Sequence, residues 1–260
     1  MVGITRRGAL LTIGAAGGVA AMPPPSRAAA GTDDVDVPIR LLERYHPGLL
    51  RYLDAGGWGS AKEQFRAEYA AGDLSGKYLA LSRLTAAIRC SHTHVNPYNL
   101  ADPIAEQLFG QARLMPVNFT WLGKRMIVTA DPHGSGVAPG SEITAIAGRS
   151  VAAMLAELLA LTRADGSLDN KRRSLLSVGN AERYETFDML TQSLWPLGET
   201  VTIEGSFGNR TVPTISLAQR RAAACAAVRL HARAGLLAAE RIGGEGVIAS
   251  DVIAALGAAR

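Results

Sequence analysis

Apolar positions along this chain recur at helical spacing as far as Ile88 and change to the two-residue alternation of strands from Leu114 onward. Leu41, Leu42, Tyr45, Leu49, Leu50 and Leu53 fall on one helical stripe. His46 precedes Pro47 within it, and proline disfavours helical backbone at the residue before it, so two short helices are expected here. The next helix runs from Ala61 to Ala70 and ends near Gly72. Another starts at Asp73, a good N-cap, and turns Tyr78, Leu81, Leu84, Ala87 and Ile88 inward. Its end delivers the chain into the segment from Cys90 to Asn99.

In the strand-patterned region Val117, Phe119 and Trp121 alternate, Leu122-Gly123-Lys124 supplies a turn, and Met126 to Thr129 returns as a second strand. Gly134 to Gly140 reads as a loop, and Glu142 to Ile146 as a buried strand. Gly148-Arg149 then turns, with Ser150 as the cap of a helix through Leu161. Further helices are expected over Leu168 to Val178 and from Ala181 towards Leu194, where Pro196 stops the pattern. Val201 to Ser206 and Thr211 to Ser216 form a hairpin around Gly208-Asn209. Beyond Phe207 there is no aromatic residue, and alanine and arginine dominate. Two short amphipathic helices separated by Gly243-Gly244 fit this tail.

The fold class expected is α+β, with residues 31–113 as a helical cap domain, 114–218 as a small mixed domain and 219–260 as an Ala/Arg-rich helical tail. Residues 1–30 are set apart. Arg6-Arg7 precede a weakly hydrophobic run from Ala9 to Met22, and Ala28-Ala29-Ala30 is a small-residue end, the pattern of a twin-arginine export signal cleaved after Ala30. That run is shorter than the roughly 20 residues needed to span a bilayer, so no stable membrane span is expected after cleavage. The expected location is periplasmic or secreted.

Removing this segment changes the charge argument. Three of the 27 basic residues lie in it, which leaves 24 against 23 acidic ones. A near-neutral domain lacks the electrostatic footprint of nucleic-acid binding. Cys90 and Cys225 are enough for one disulfide in an oxidising compartment, but not for a zinc framework.

The chemistry concentrates in Arg89 to Asn99, where two of the five histidines, His92 and His94, stand beside Ser91, Cys90, Asn96 and Asn99. An extended His92-Thr93-His94 puts both imidazoles on one face, but two ligands do not make a zinc site, and His133 and Asp131 lie in a loop without diagnostic spacing. No metal ligand, cofactor-binding residue or cofactor is assigned. Cys90 reads as a packed thiol and Lys171-Arg172-Arg173 as a solvated face. Asp165-Gly166-Ser167 reads as a turn with a helix cap. Trp58, Trp121, Trp195 and Tyr184 read as core anchors.

Pro139-Gly140-Ser141-Glu142-Ile143, leading to Ala147-Gly148-Arg149-Ser150-Val151, resembles a PDZ-type stretch. Preceded by a helical cap that ends in Ile88-Arg89-Cys90-Ser91-His92-Thr93, the order from Leu41 to Ser216 is similar to the first half of tail-specific, C-terminal-processing serine peptidases and their tricorn-core relatives. In tricorn-like members a histidine beside a serine joins a nucleophile and a glutamate from a later core domain, so the resemblance assigns His92 as general base and Ser91 as an orienting hydroxyl. An imidazole suits that role because it titrates near neutrality. Tail-specific members use a serine and lysine pair in the core instead, which leaves open a supporting, hydrogen-bonded role for His92 and His94.

The resemblance also calls for a catalytic core that about forty residues of tail cannot house. Two origins for the tail stay open: a change of reading frame near Arg220 or Arg221, and a native helical cap. Two functions stay open with them. One is an exported serine-peptidase-like protein whose nucleophile-bearing core is missing and is supplied by a separately encoded polypeptide. The other is a non-catalytic module that binds a peptide or unfolded segment at a sheet edge.

Overall fold

In the computed structural model, residues 33–179, 183–243 and 246–259 are described. The export signal expected over residues 1–30 lies outside them. Helix α1 (Asp33–Tyr45) stops one residue before His46-Pro47, as the proline requires. Only one helix forms here, because residues 47–53 run as turns and bends. The apolar stripe also divides. Ile39 is buried with Val35 and Leu42 against it, whereas Leu41, Tyr45 and Leu50 are exposed, since 35, 39 and 42 share a helical face that 41 and 45 do not.

Helix α2 (Ala55–Ala71) and α3 (Leu74–Ala87) are capped by Asp54 and Asp73, whose carboxylates accept the N–H groups of Gly57 and Gly76 at 2.7 and 2.9 Å. Trp58, Phe65, Leu84 and Ile88 pack with α1 into the helical cluster. A 3-10 turn (Pro97–Asn99) and α4 (Asp102–Phe109) lead to the strands.

Strands β1 (Arg113–Leu114), β2 (Asn118–Leu122), β3 (Arg125–Ala130), β4 (Glu142–Ile146) and β5 (Arg149–Ser150) precede α5 (Val151–Leu161), α6 (Asp169–Leu175) and α7 (Thr186–Leu194). Strands β6 (Thr200–Gly205), β7 (Gly208–Pro213) and β8 (Ile215–Ser216) then run into α8 (Leu217–Ile242) and α9 (Ala249–Ala255). The main sheet is antiparallel in the order β2-β3-β4-β6-β7, with β5 folded back on β4, and β1 pairs with β8 apart from it. The fold is α+β.

The expected β2–β3 turn holds, with Leu122 opposite Arg125. The late hairpin shifts. Gly205 pairs with Gly208, so Ser206-Phe207 make the turn and Gly208-Asn209 belong to β7. Gly205 is needed where β6 crosses β4, since any Cβ there would collide with the Glu142 carbonyl. Ser150 stands at the N-cap of α5 without a side-chain cap bond and is also the last residue of β5. The helix expected over Leu168 to Val178 is shorter, with Leu168 exposed before it and Val178 bridged to Phe119. Ala181, the expected start of the next helix, lies outside the described residues. The tail forms one 26-residue helix and one short one, closed by Gly243 at φ 97° and joined through Ala234, Ala238, Ala255 and Ala259. No described helix is long and apolar enough to cross a membrane.

The main core lies between the sheet and helices α3, α5 and α7. Phe119 meets Phe187 edge-on at 4.8 Å, and the Trp121 indole N–H donates to the Leu176 carbonyl at 3.0 Å. Trp58, Trp121 and Tyr184 are buried anchors as expected, and Trp195 packs against the same core. Ser216 and Gln219 form a capping box that starts α8. Arg220, one turn on, is 1% exposed; its Nε lies 2.9 Å from Asp188 Oδ2 and its Nη2 donates to the Met115 carbonyl at 2.7 Å.

Burial pushes the Asp188 carboxyl up to about 6, against the pull of Arg220 and with the push of Glu185. With its folded pKa above the ordinary value, that group's contribution is complete below about pH 3.8 and lost as the pH rises through about 6. Arg220→Met removes the cation and drives Asp188 higher still. Urea unfolding should show a loss of about 3–5 kcal/mol at pH 7. At pH 5, where Asp188 takes up a proton, the loss should be smaller.

Candidate functional site

The Cys90 to Asn96 segment starts from a deep anchor and a sharp turn. Ile88 is fully buried, and Arg89 follows it in the left-handed region at φ 58°. A side chain there costs about 1–2 kcal/mol relative to ordinary helical backbone. The turn sends Cys90 to Val95 along bends rather than a strand, and the two histidines part. His92 faces one pocket with Cys90, and His94 lines another with Tyr78, Asn96 and Arg163. The shared face expected of His92-Thr93-His94 therefore does not form, because it depends on extended backbone.

Asp165 holds the segment from across the sequence. One of its carboxylate oxygens accepts the Ser91 N–H at 2.8 Å and the other accepts the Ser91 hydroxyl at 2.7 Å. These two bonds lower the Asp165 pKa, the backbone one most, and the nearby His92 and Arg51 act in the same direction. The Gly166 N–H donates to the Arg89 carbonyl at 3.0 Å, a second link between the same two loops. Gly166 has φ 52° with the Tyr52 ring against it, 3.3 Å from where a Cβ would stand.

Arg172 fixes the Asp165 loop from beneath. It is 8% exposed; its Nε donates to the Thr162 carbonyl at 3.0 Å, and Nη2 reaches the Gly166 carbonyl at 3.4 Å. Nη1 pairs with Asp169 at 2.8 Å. The solvated face expected for Lys171-Arg172-Arg173 is thus corrected at its middle residue. Three acceptors converge on Arg172, so its guanidinium points inward while Lys171 stays exposed.

The resulting pocket, about 820 Å³, is bounded by His46, Arg51, Tyr52, Cys90, His92 and Asp165 among others. His92 is exposed and Cys90 half-buried, and their Nδ1/Nε2 and Sγ atoms lie within 4.8 Å of each other and of an Asp165 oxygen. His46 shares the wall, its Nδ1 accepting the Gly48 N–H at 3.2 Å. Cys90 and Cys225 are both free thiols, so the disulfide their number permits is not made.

The other titratable groups go elsewhere. Burial lowers the His94 pKa and the adjacent Arg163 guanidinium, in contact with the imidazole, lowers it further. Burial also lowers the pKa of His133, with Arg220 acting the same way and Asp131 opposing. Asp131 accepts the N–H and hydroxyl of Ser135 at 2.9 Å and the Gly136 N–H at 2.8 Å, a loop-closing turn. Neither Asp131 nor His133 joins His92.

No family model matches the chain, and no curated protein matches it. Three solved structures are similar over 71% of this chain: a serine-to-alanine mutant of the chlamydial serine protease CPAF (14% identity, TM-score 0.42, 33% of that chain), mature CPAF (17%, 0.39, 33%) and mature CPAF complexed with lactacystin (17%, 0.39, 34%). The chain spans about a third of the length of those structures. At these TM-scores the likeness carries neither fold nor activity over to this chain.

Ser91 and His92 stand out in the sequence, whereas Asp165 has the local look of a turn residue. No local signal marks a contact 74 residues away. Asp165→Asn removes the charge that accepts both Ser91 donors, and amide hydrogen exchange at Ser91 to Thr93 should quicken while the global unfolding midpoint stays nearly unchanged. Because the Asp165 pKa is lowered, the clamp should hold above the ordinary carboxyl range and open as the pH falls through its lowered value. Arg172→Met strands two buried carbonyls. It should quicken the same exchange and cost about 2–4 kcal/mol of global stability in urea unfolding.

Proposed function

We propose that this chain is a serine-peptidase-like exported protein in which His92 is the general base. The observation that carries this reading is the Asp165 carboxylate, which grips both donors of Ser91 and stands beside the exposed His92 on the wall of a pocket. A carboxylate beside the imidazole is a recurring part of general-base sites. Ser91 serves as the orienting hydroxyl and not as nucleophile, since its proton is directed at Asp165 and not at His92. The base needs a hydroxyl nucleophile and oxyanion donors to act on a peptide carbonyl. Among the described residues none is gathered at His92, and in this reading a peptidase core brings them from a further stretch of chain or from a separate polypeptide. The substrate is a peptide or unfolded segment. Arg6-Arg7 and Ala28-Ala29-Ala30 support twin-arginine export to the periplasm or beyond.

A second reading, a peptide-binding module without chemistry, draws on β7. It is the edge of the main sheet and mostly exposed, and an extended peptide adds to such an edge by backbone hydrogen bonds.

Hydrolysis of denatured casein and of a mixed peptide pool by the chain distinguishes the readings, measured with and without a co-expressed core-bearing polypeptide. The peptidase reading expects turnover with the core present and its loss, by roughly 100-fold or more, in His92→Ala. Saturable peptide binding without turnover, unchanged in His92→Ala and lost in Thr211→Pro, would replace it with the binding module.

A further inference from the structure

The geometry points to a binding site for a zinc-type divalent cation formed by the Cys90 thiolate, the His92 imidazole and the Asp165 carboxylate, with a fourth position open to the pocket. It does not rest on the peptidase reading. A bound ion would take the His92 lone pair that a general base needs.

The donor set comes first. Sulfur, nitrogen and oxygen from one thiolate, one imidazole and one carboxylate suit a borderline-soft ion, and three protein ligands with one open position is the arrangement of reactive zinc centres. Thiolate and carboxylate together carry the charge that neutralises a divalent ion. The Cys90 proton is released to solvent as the metal–sulfur bond forms.

Distance and freedom agree. The three donor atoms lie within 4.8 Å of one another. Metal–sulfur bonds of about 2.3 Å and metal–nitrogen or metal–oxygen bonds of about 2.0 Å need separations of roughly 3.3 to 3.6 Å. The closure required is about one ångström. His92 is exposed and free to rotate toward the other two donors, while Asp165 is held by Ser91 and half-buried Cys90 follows fully buried Ile88.

Support around the donors is the third element. A ligating carboxylate is itself held by hydrogen bonds in built metal sites. Asp165 accepts from the Ser91 N–H and hydroxyl and keeps lone pairs in reserve on both oxygens. Its loop is tied to the Cys90 turn by the Gly166 N–H to Arg89 carbonyl bond and braced by buried Arg172. Two loops 74 residues apart are thereby set in place before any ion arrives. The open position faces a pocket of about 820 Å³ whose wall includes Arg51 and Arg89, room and charge for water, hydroxide or a small anion on the metal.

Cobalt(II) is the probe. Titration of the untagged, reduced full chain under anaerobic conditions should give one equivalent of thiolate-to-cobalt charge-transfer absorption, together with the visible bands of four-coordinate cobalt, displaced by one equivalent of zinc. Cys225→Ser should leave these bands intact and Cys90→Ser should abolish the charge-transfer band. His92→Ala and Asp165→Asn should each weaken binding at least tenfold. His92 is exposed, so that variant keeps its fold, which circular dichroism verifies. The site is overturned if no charge-transfer band appears, if it survives Cys90→Ser or follows Cys225, or if His92→Ala and Asp165→Asn both bind cobalt as the unaltered chain does.

Discussion

The buried ion pair between Arg220 and Asp188 is the contact on which the arrangement of this fold turns. It joins the first turn of α8 to α7, and through the Met115 carbonyl it reaches the chain entering the main sheet. Both partners are removed from water, and each supplies the other's counter-charge. The pair therefore selects one docking of α8 even where its net contribution to stability is small. Strand β8 begins the same tether by pairing with β1, and the Ser216 and Gln219 capping box starts the helix at the residue that makes the geometry possible.

A second buried guanidinium does for the site what Arg220 does for the fold. Arg172 collects carbonyls from Thr162 and Gly166 and pairs with Asp169, so the loop between α5 and α6 has one shape. That shape presents Asp165 to Ser91. Arg89 completes the junction from the other side: its left-handed backbone points its carbonyl at the Gly166 N–H and turns Cys90 and His92 toward the carboxylate. Strain at a residue that feeds a site is tolerated when the surroundings over-determine it, as three cross-loop bonds and a buried isoleucine do here. General-base chemistry and metal binding both draw on His92 and Asp165 and exclude each other at His92. The ion, the proton and a nucleophile would compete for one imidazole nitrogen.

Much of the local structure was legible in the chain. Asp54 and Asp73 cap helices, Pro47 ends one, Gly123 turns a hairpin and alternation marks β2 and β3, because each depends on residues a few positions apart. The errors share a cause. Leu41 and Tyr45 have the spacing of an inward stripe, yet the register of α1 turns them to solvent. Gly208-Asn209 had the composition of a turn, yet the close approach of β6 to β4 at Gly205 moves the turn to Ser206-Phe207. Arg172 had the look of a solvated face until three acceptors from other segments converged on it.

An α+β chain with a helical first part, an antiparallel middle and an alanine-rich helical end is legible in the residues alone, as is the concentration of chemistry at Ser91 and His92. Periodicity, caps and breakers act within a few residues, so these features are written locally. The parting of His92 and His94, the grip of Asp165 on Ser91 and the pocket shared by Cys90, His92 and Asp165 arise on folding. Each depends on backbone brought together over 74 residues, and on a left-handed turn at Arg89 that an arginine does not adopt unless the fold requires it.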